Sequence, residues 1–423
     1  MTTAIPFSLL PDSSEVGPDG GLMIGGCSVA ELAAEYGTPL FIYDETHLRS
    51  RAAEAVRAFG PGVVYASKAF LCRAMAELIH EEGMHIDVST AGEFHVASAA
   101  GIPPADMVFH GNNKSISELR LALEHRVGRV VIDSFDELDR LDTLHGQGLP
   151  VPDVLIRITP GVEAHTHEFI ATGRDDSKFG FTVSTGLAEK AIHRAMASSS
   201  VRLRGIHAHI GSQVFRVDSF ARAAEVIAAV AAPFDLDEVS VGGGLGVPYV
   251  VGEESASITA WASVVHDALD TAGVTARITA EPGRSIAASA AITVYTVGTI
   301  KALDGLRTYV AVDGGMSDNP RPVLYGSGYE SFAPARPLAE RGQPVRIVGK
   351  HCESGDVLVR DGLVPLDLAV GDLLATPVTG AYGHSMGSNY NQILRPPVVF
   401  CRDGDARLVV RRETLDDLLS RDV

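Results

Sequence analysis

The stretch Gly62-Val63-Val64-Tyr65-Ala66-Ser67-Lys68-Ala69 places a lysine directly after a short apolar run that is typical of a buried strand. An ammonium group beside apolar walls loses hydration, so its pKa falls and the neutral amine can attack a carbonyl to form a Schiff base. A lysine that extends to the surface fits this stretch equally well. The stretch therefore predicts a strand with a candidate catalytic residue, Lys68, at its end.

Seven further strand-like runs follow, and helical patterns or loops separate them. The helical segments, with apolar residues at helical spacing, include Ser117 to His125, Ser219 to Ala231 and Ala260 to Ala272. The seven runs cover residues 85–88, 107–110, 129–133, 153–157, 203–209, 238–241 and 277–281. An eightfold alternation of strand and helix closes as a parallel (β/α)8 TIM-like barrel, an α/β fold whose active site lies where the strands end.

A second domain is expected after about residue 287, where strands separated by turn signals replace the helical patterns. Ala291 to Val297 and Thr308 to Val312 are two of these strands. We expect a C-terminal β-sandwich or β-barrel over residues 288–423. The N-terminal segment 1–41, which runs into the strand Leu40-Phe41-Ile42-Tyr43, should join this β domain. Residues 42–287 then form the predicted barrel.

Composition excludes several classes of protein. A chain of 423 residues with 46% hydrophobic residues can bury the core of a large enzyme. The formal charge of −18 would repel phosphate backbones, so nucleic acid is an unexpected partner. Neither a membrane span nor a secretory signal is evident, which predicts a cytoplasmic protein with no membrane partner. Four scattered cysteines without a CxxC pair favour neither a disulfide framework nor a structural zinc site.

Two motifs at strand ends indicate a cofactor. The run Gly242-Gly243-Gly244-Leu245-Gly246 follows the seventh strand, where barrels commonly bind phosphate through backbone N–H groups. Glu281-Pro282-Gly283-Arg284 ends the eighth strand and adds a carboxylate and a guanidinium, which could also simply pair with each other. Together with Lys68 these motifs favour pyridoxal 5′-phosphate, because a carboxylate at the pyridine nitrogen keeps it protonated and makes the ring an electron sink.

The sixth strand ends in His207-Ala208-His209-Ile210-Gly211-Ser212. His209 could lie flat against the cofactor ring, and Ser212 could donate to its phosphate. The competing interpretation is a zinc site of His110, His207 and His209, since imidazoles at i and i+2 of a strand share a face. No carboxylate or cysteine is expected to complete that set, and it would leave Lys68 without a purpose. We therefore predict no metal.

The chain resembles the diaminopimelate decarboxylases, which belong to the fold-type III pyridoxal-phosphate decarboxylases and are related in their barrel to alanine racemase. The resemblance runs over nearly the whole chain. It implies decarboxylation of meso-2,6-diaminopimelate to L-lysine and CO2, the last step of lysine biosynthesis. The motifs that carry it are Tyr65 to Ala69, His207 to Gln213, Gly242 to Gly244, Glu281 to Arg284, Cys352-Glu353-Ser354-Gly355-Asp356 and Gly380-Ala381-Tyr382.

Residue roles also follow from this resemblance. It implies that Lys68 holds the cofactor, His209 stacks on its ring and Glu281 pairs with the pyridinium. Cys352 is the implied proton donor to Cα, and it comes from the second subunit together with Glu353, which implies a homodimer with shared active sites. The phosphate ligands would be Ser212, Gly243, Gly244, Gly283, Arg284 and Tyr382. The substrate ligands would be Arg284, Arg321, Tyr325, Glu353 and Tyr382.

Two alternatives stay open. One is a related decarboxylase of ornithine or lysine, and the other is a non-catalytic homologue that binds the cofactor. Diaminopimelate carries both a carboxylate and an amine at its far end; Arg284 and Arg321 can supply cations for the first and Glu353 an acceptor for the second. Diamine-producing relatives are expected to have an aspartate in place of Glu353. Position alone puts Asp87 and Asn112 near the cofactor.

Overall fold

The computed structural model describes residues 4–162 and 175–423. The chain divides into two compact units. The barrel unit comprises Arg51–Gly246 and Ser255–Ser285, and the β unit comprises Met1–Ser50, Val247–Glu254 and Ile286–Val423. The β unit thus includes residues 42–50 and 247–254, which the sequence assigned to the barrel. The domain boundaries after residues 41 and 287 stay a prediction.

The strands are β1 (Glu15–Val16), β2 (Leu22–Ile24), β3 (Cys27–Ser28), β4 (Leu40–Asp44), β5 (Val64–Tyr65), β6 (His85–Val88), β7 (Met107–Phe109), β8 (Arg129–Ile132), β9 (Asp153–Thr159), β10 (Phe181–Thr182), β11 (Arg202–Ala208), β12 (Glu238–Ser240), β13 (Arg277–Thr279), β14 (Ala291–Leu303), β15 (Arg307–Val312), β16 (Gln343–Val348), β17 (Val357–Val364), β18 (Leu373–Pro377), β19 (Val398–Arg402) and β20 (Asp405–Val410).

The helices are α1 (Val29–Tyr36), α2 (Glu45–Phe59), α3 (Arg73–Glu81), α4 (Ala91–Ala99), α5 (Ile116–Glu124), α6 (Phe135–Gly146), α7 (Leu187–Ala197), α8 (Val217–Ala231), α9 (Ile258–Thr271), α10 (Arg284–Ala287), α11 (Arg321–Tyr325) and α12 (Leu415–Leu419). Within the described ranges, none of them is long and apolar enough to cross a membrane.

Eight parallel strands form the barrel, in the order β5-β6-β7-β8-β9-β11-β12-β13, while β10 pairs with β9 off this path. The first and last strands are joined because Val64 N–H donates to the Ala280 carbonyl at 3.0 Å and Ala66 N–H donates to the Pro282 carbonyl at 3.1 Å. These bonds nearly close the ring. The predicted (β/α)8 fold is therefore confirmed, and the predicted strand ends differ from the observed ones by at most two residues.

Branched aliphatic side chains fill the barrel, as the fold requires. Val64, Val108, Val131 and Leu155, from β5, β7, β8 and β9, form one buried cluster. Several of the surrounding helices begin at capping residues; Ser115, for example, makes a complete capping box with Glu118 at the start of α5. All eight strands run parallel, so their carboxyl ends lie together at one mouth of the barrel.

The β unit is built around the 13-residue strand β14. The first half of β14 pairs with β4 on one side and β18 on the other, and its second half pairs with β15. The full order is β17-β16-β15-β14-β4-β19-β20, with β18 beside β14. The N-terminal strand β4 is wholly buried in this sheet. The expected second domain is therefore confirmed as a β-sheet domain.

Candidate active site

A buried carboxylate lies where the barrel strands end. Glu281 follows β13, and its two oxygens are contacted by His110 Nε2 at 3.1 Å and His207 Nε2 at 2.9 Å. The Ser240 hydroxyl donates to Glu281 Oε1 at 3.3 Å. All four side chains are buried. Strands β7, β11, β12 and β13 thus bring residues from distant parts of the sequence around one carboxylate.

The electrostatics of this cluster favour an ionised carboxylate. Burial alone would raise the pKa of Glu281, but the two imidazoles hold that pKa well below its ordinary value. Burial lowers the pKa of His110 to about 4, so this ring is neutral and donates through its Nε2–H. The result is a buried anion stabilised by N–H and O–H donors, which can pair with a cationic ligand group.

The same cluster also has the composition of a metal site. The ligand atoms of His110, His207 and Glu281 all lie within 4.8 Å of one another. The argument from sequence that no carboxylate completes the histidines is wrong, because barrel closure brings Glu281 to them. His209, the third histidine of the zinc alternative, is outside this set. Both imidazoles contact Glu281, and the absence of a metal stays a prediction.

Lys68 lies in a 3₁₀ turn, Ser67–Ala69, directly after β5. Ser67 and Ala69 are buried, whereas the Lys68 side chain is exposed. Of the two interpretations of this stretch, the exposed position favours a lysine that extends beyond the strand, and its role in binding the cofactor stays a prediction. Asp87 lies buried beside the turn, and its Oδ1 accepts from Ser67 N–H at 2.7 Å. Burial raises the pKa of Asp87 to about 7, although Lys68 acts in the opposite direction.

His209 and the glycine run contact each other. Gly243 N–H donates to His209 Nδ1 at 3.1 Å, which leaves the ring hydrogen at Nε2. Burial, and to a smaller extent Lys68, hold the pKa of His209 well below its ordinary value. A Cβ on Gly244, whose φ is +119°, would lie 2.3 Å from the Gly211 carbonyl oxygen, so only glycine is accommodated there. Because Gly243 N–H is engaged by His209, Gly244 N–H is the better candidate phosphate donor; it meets no acceptor among the described residues.

Arg284 lies beside this glycine run at the start of α10. Its Nη2 donates to Ser212 Oγ at 2.8 Å, and the side chain is buried. Gly283 packs closely on β5, since a Cβ there would lie 2.8 Å from Ala66 Cβ. A hydroxyl, a guanidinium and close-packed glycine backbone therefore meet at the ends of neighbouring strands, a donor set suited to an anion.

The β unit contains a buried cation that pairs with no carboxylate among the described residues. Arg321, the first residue of α11, is 4% exposed. Its Nη1 donates to Tyr329 Oη at 2.6 Å, and its guanidinium carbon lies 3.9 Å from the Tyr249 ring centroid. Its Nε has no hydrogen-bond partner, and no carboxylate in the described part of the chain pairs with it. Burial lowers the pKa of Arg321, but the two tyrosines outweigh it and raise that pKa above its ordinary value.

Cys352 lies in an exposed loop between β16 and β17, as the sequence indicated. The Cys352 N–H donates to Asn391 Oδ1 at 3.1 Å, and His351 Nδ1 lies 3.2 Å from the same oxygen. His351 Nε2 accepts from Ser317 N–H at 3.3 Å. Asn391 thus anchors the backbone of the Cys352 loop. Glu353 is exposed in this loop.

Two further predicted substrate ligands also lie in the β unit. Tyr325 ends α11 and is half-buried. Tyr382, in the Gly380-Ala381-Tyr382 motif, is half-buried and adopts a left-handed φ of +60°. The structure thus places five predicted residues in the β unit: Arg321, Tyr325, Cys352, Glu353 and Tyr382.

Comparison with known proteins identifies the family. Residues 45–288 match the sequence model of the pyridoxal-dependent decarboxylase, pyridoxal binding domain. The diaminopimelate decarboxylase of Mycobacterium bovis is 47% identical, covering 96% of this chain and 95% of that protein. The chain belongs to the diaminopimelate decarboxylase family. The Bacillus subtilis diaminopimelate decarboxylase is 45% identical over 98% of both chains. A crystal structure of diaminopimelate decarboxylase from M. jannaschii in co-complex with L-lysine covers 97% of this chain and 98% of its own, with 31% identity and a TM-score of 0.89.

Membership of the diaminopimelate decarboxylase family makes the chain a pyridoxal-phosphate-dependent carboxy-lyase, and it confirms the predicted cofactor and enzyme class. The side chains present suit that group. The ionised Glu281 matches a protonated ring nitrogen, and Lys68 provides an amine at the strand end. The close-packed Gly244 backbone with Ser212 and Arg284 provides donors for a phosphate.

Sequence reasoning missed the partners of several site residues. His110 and His207 were assigned no role other than as alternative zinc ligands, although His110, which directly precedes Gly111 at a strand end, could have indicated a role at the barrel mouth. Arg157 was not singled out at all; its Nη1 lies 3.5 Å from Asp133 Oδ2, and both are buried.

A second missed feature is the buried ion pair of Lys114 and Glu137. Lys114 Nζ donates to Glu137 Oε1 at 2.6 Å, and the two side chains are 0% and 3% exposed. It also donates to the carbonyl oxygens of Gly111 at 2.8 Å and Val131 at 2.6 Å. Glu137 Oε2 accepts from Asp133 N–H at 3.0 Å. The pair therefore ties the loop that follows His110 to the end of β8.

Proposed function

We propose that the protein decarboxylates meso-2,6-diaminopimelate to L-lysine and CO2, as the last step of lysine biosynthesis in the cytoplasm. The relatives' names support this substrate. The structural observation that supports the assignment of diaminopimelate is Arg321, a buried guanidinium without a counter-ion in the described residues. Burying an unpaired charge is costly, so such a site favours an anionic ligand. Diaminopimelate has a distal carboxylate that lysine and ornithine lack.

The barrel residues hold the cofactor in this proposal. Lys68 would hold it covalently, His209 would pack on its ring, and Glu281 would keep a proton at the ring nitrogen. When bound, pyridoxal phosphate supplies an electron sink for the pair released as the bond from Cα to the carboxylate breaks. The phosphate ligands would be Ser212, Gly243, Gly244, Gly283 and Tyr382, together with the backbone of Arg284, whose guanidinium is left for the substrate.

The β unit supplies the remaining chemistry. The Cys352 thiol delivers a proton to Cα after CO2 is lost, and the exposed loop supports this role because an accessible thiol can reach a substrate. Arg321 and Arg284 bind the distal carboxylate, with Tyr325 and Tyr382 beside it. Glu353 accepts from the distal amine. A cation for the carboxylate and an acceptor for the amine together distinguish diaminopimelate from a diamine precursor.

A substrate panel tests the assignment. CO2 release would be measured from meso-diaminopimelate, lysine, ornithine and arginine. We expect a preference for diaminopimelate over lysine of roughly 10⁴-fold in kcat/KM, because lysine leaves the arginines without their partner. Comparable kcat/KM values for lysine or ornithine would refute the substrate while leaving the decarboxylase assignment intact.

The Arg321→Ala variant sharpens this test. It should raise KM for diaminopimelate and leave the weak turnover of lysine almost unchanged, because lysine has no distal carboxylate to lose. Glu353→Ala should instead impair both substrates, since both carry the distal amine. Equal losses on both substrates in Arg321→Ala would contradict the role of this arginine.

We also propose a homodimer in which each subunit supplies Cys352 and Glu353 to the other subunit's active site. Mixing inactive Lys68→Ala and Cys352→Ala proteins should then restore activity on subunit exchange. At random exchange half of the dimers are mixed, and each mixed dimer has one intact site in two, so activity should approach about a quarter of the wild-type value. No recovery, with exchange verified by native mass spectrometry, would mean that each chain builds its own site.

A further inference from the structure

Two tyrosines from separate parts of the sequence enclose the Arg321 guanidinium. Tyr249 lies in the segment Val247–Glu254, which follows the glycine run but belongs to the β unit. The Val251 N–H donates to Glu330 Oε1 at 3.1 Å, and Tyr249 N–H donates to Glu253 Oε2 at 2.8 Å. These bonds fix the segment beside Tyr329.

The rings are arranged to hold a guanidinium in one orientation. The Tyr249 and Tyr329 rings are nearly perpendicular, at 86°, with centroids 5.3 Å apart. Arg321 lies over the face of Tyr249, with its guanidinium carbon 3.9 Å from that centroid and 5.4 Å from the Tyr329 centroid. A cation over an aromatic face is attracted by the electron-rich ring, and desolvation strengthens the attraction.

The hydrogen bonds within the described residues leave two nitrogens of Arg321, Nε and Nη2, for a ligand. Nη1 of Arg321 donates to Tyr329 Oη at 2.6 Å, and Nε is buried with no partner among the described atoms around it. Nη2 likewise has no hydrogen-bond partner among the described residues. Rotation of the guanidinium within its own plane would break the hydrogen bond from Nη1 to Tyr329 Oη. Tilting of the guanidinium would move it away from the face of the Tyr249 ring. The Arg321 head group is therefore held with its Nε and Nη2 edge as the binding end for a carboxylate.

We propose that Tyr329 and Tyr249 are positioning residues that select for the distal carboxylate by holding Arg321 in this orientation. The inference rests on the proposed function, because it concerns the same arginine and the same substrate group. A fixed guanidinium loses less conformational freedom when it binds a carboxylate than a mobile one does, so orientation contributes directly to affinity. Neither tyrosine needs to touch the substrate.

The test compares Tyr329→Phe with wild type. This substitution keeps the ring and removes the hydroxyl that binds Nη1. We expect KM for meso-diaminopimelate to rise roughly tenfold, the effect of one hydrogen bond to a charged group. The kcat for diaminopimelate, the weak kcat/KM for lysine and the cofactor absorbance should stay at wild-type values. Tyr249→Leu, which removes the ring face, should raise KM in the same selective way.

Tyr309→Phe is the matched control, since Tyr309 lies on β15 of the same unit and takes no part in this cluster. It should leave both substrates unaffected. An unchanged KM for diaminopimelate in Tyr329→Phe and in Tyr249→Leu would refute the positioning role, as would equal losses on diaminopimelate and lysine. If the wild-type protein showed no preference for diaminopimelate over lysine, the proposed function itself would fail, and that result is distinct from either outcome.

Discussion

Replacing Lys114 by methionine should destabilise the barrel unit strongly. Lys114 and Glu137 are 0% and 3% exposed, so water cannot take the place of the lost ammonium. Removing one partner of a buried ion pair typically costs about 3–5 kcal/mol, because the other charge stays buried and unpaired. The carbonyl oxygens of Gly111 and Val131 lose a donor as well. We therefore expect a loss near the upper end of that range.

The pH dependence of this loss has a defined sign. Burial already raises the pKa of Glu137, although Lys114 opposes it. Without Lys114 the folded-state pKa should rise further above the unfolded value. A carboxyl group with a raised folded-state pKa binds its proton more tightly in the native protein than in the unfolded chain. It therefore lowers the free energy of unfolding progressively as pH rises from the unfolded-state pKa to the folded-state pKa. The deficit of Lys114→Met should consequently be smaller at pH 5 than at pH 8.

Urea unfolding can measure this effect in the barrel unit alone. Trp261, the single tryptophan of the sequence, is buried in α9, so its fluorescence reports on that unit. Lys190→Met, at an exposed position of α7, is the matched control and should change the free energy of unfolding by less than about 0.5 kcal/mol. The double variant Lys114→Met/Glu137→Gln should recover about 2 kcal/mol relative to Lys114→Met, since it removes the stranded charge.

A loss below about 1 kcal/mol at pH 8 would refute this account of the pair. The account would also be refuted if the loss in the double variant equalled the sum of the losses in the two single variants, because additivity means that the two groups do not interact.

Three further predictions concern the site and the β unit. Lys68→Ala should abolish turnover, and borohydride reduction of the wild-type protein followed by mass spectrometry should place the cofactor on the peptide that contains Lys68; a label on another lysine would contradict the assignment. Cys352→Ala should keep the cofactor absorbance but lower kcat by roughly 10²- to 10⁴-fold, and wild-type turnover would show that another group delivers the proton. Burial raises the pKa of Asp318 to about 7, so its ionisation should reduce stability as pH rises from about 4 to about 7. Asp318→Asn should flatten that decline in urea unfolding, and an identical pH profile would show that Asp318 does not titrate in this range.

Local patterns made the barrel predictable from sequence. Each strand is a short apolar run, and Lys68, His209, Gly244 and Glu281 directly follow such runs, so the rule that parallel strands end at one mouth brings them together. The β-sheet domain was predictable for a similar reason, because turn signals separate its strands.

Long-range partners were not predictable in the same way. His110 and Glu281 are 171 positions apart, and only the closure of the barrel shows that one contacts the other. The exposure of Lys68 depends on a three-residue turn that the apolar run before it does not specify. Residues 247–254 follow a barrel strand in the sequence, yet they pack with the β unit through contacts such as that between Val251 and Glu330. Tertiary packing decides such contacts, and local propensity does not encode it.

The path of residues 247–254 constrains how this enzyme could be recombined with its relatives. A chimaera joined at residue 287 would take Arg321 and Tyr329 from one parent and Tyr249 from the other. The segment that carries Tyr249 would then face a β sheet from a different protein, and its contacts with Arg321 and Tyr329 would no longer be matched. If Tyr249 positions Arg321 as proposed, transferring the C-terminal half alone would not transfer the substrate preference. Grafting would have to transfer the eight-residue segment 247–254 together with the β sheet.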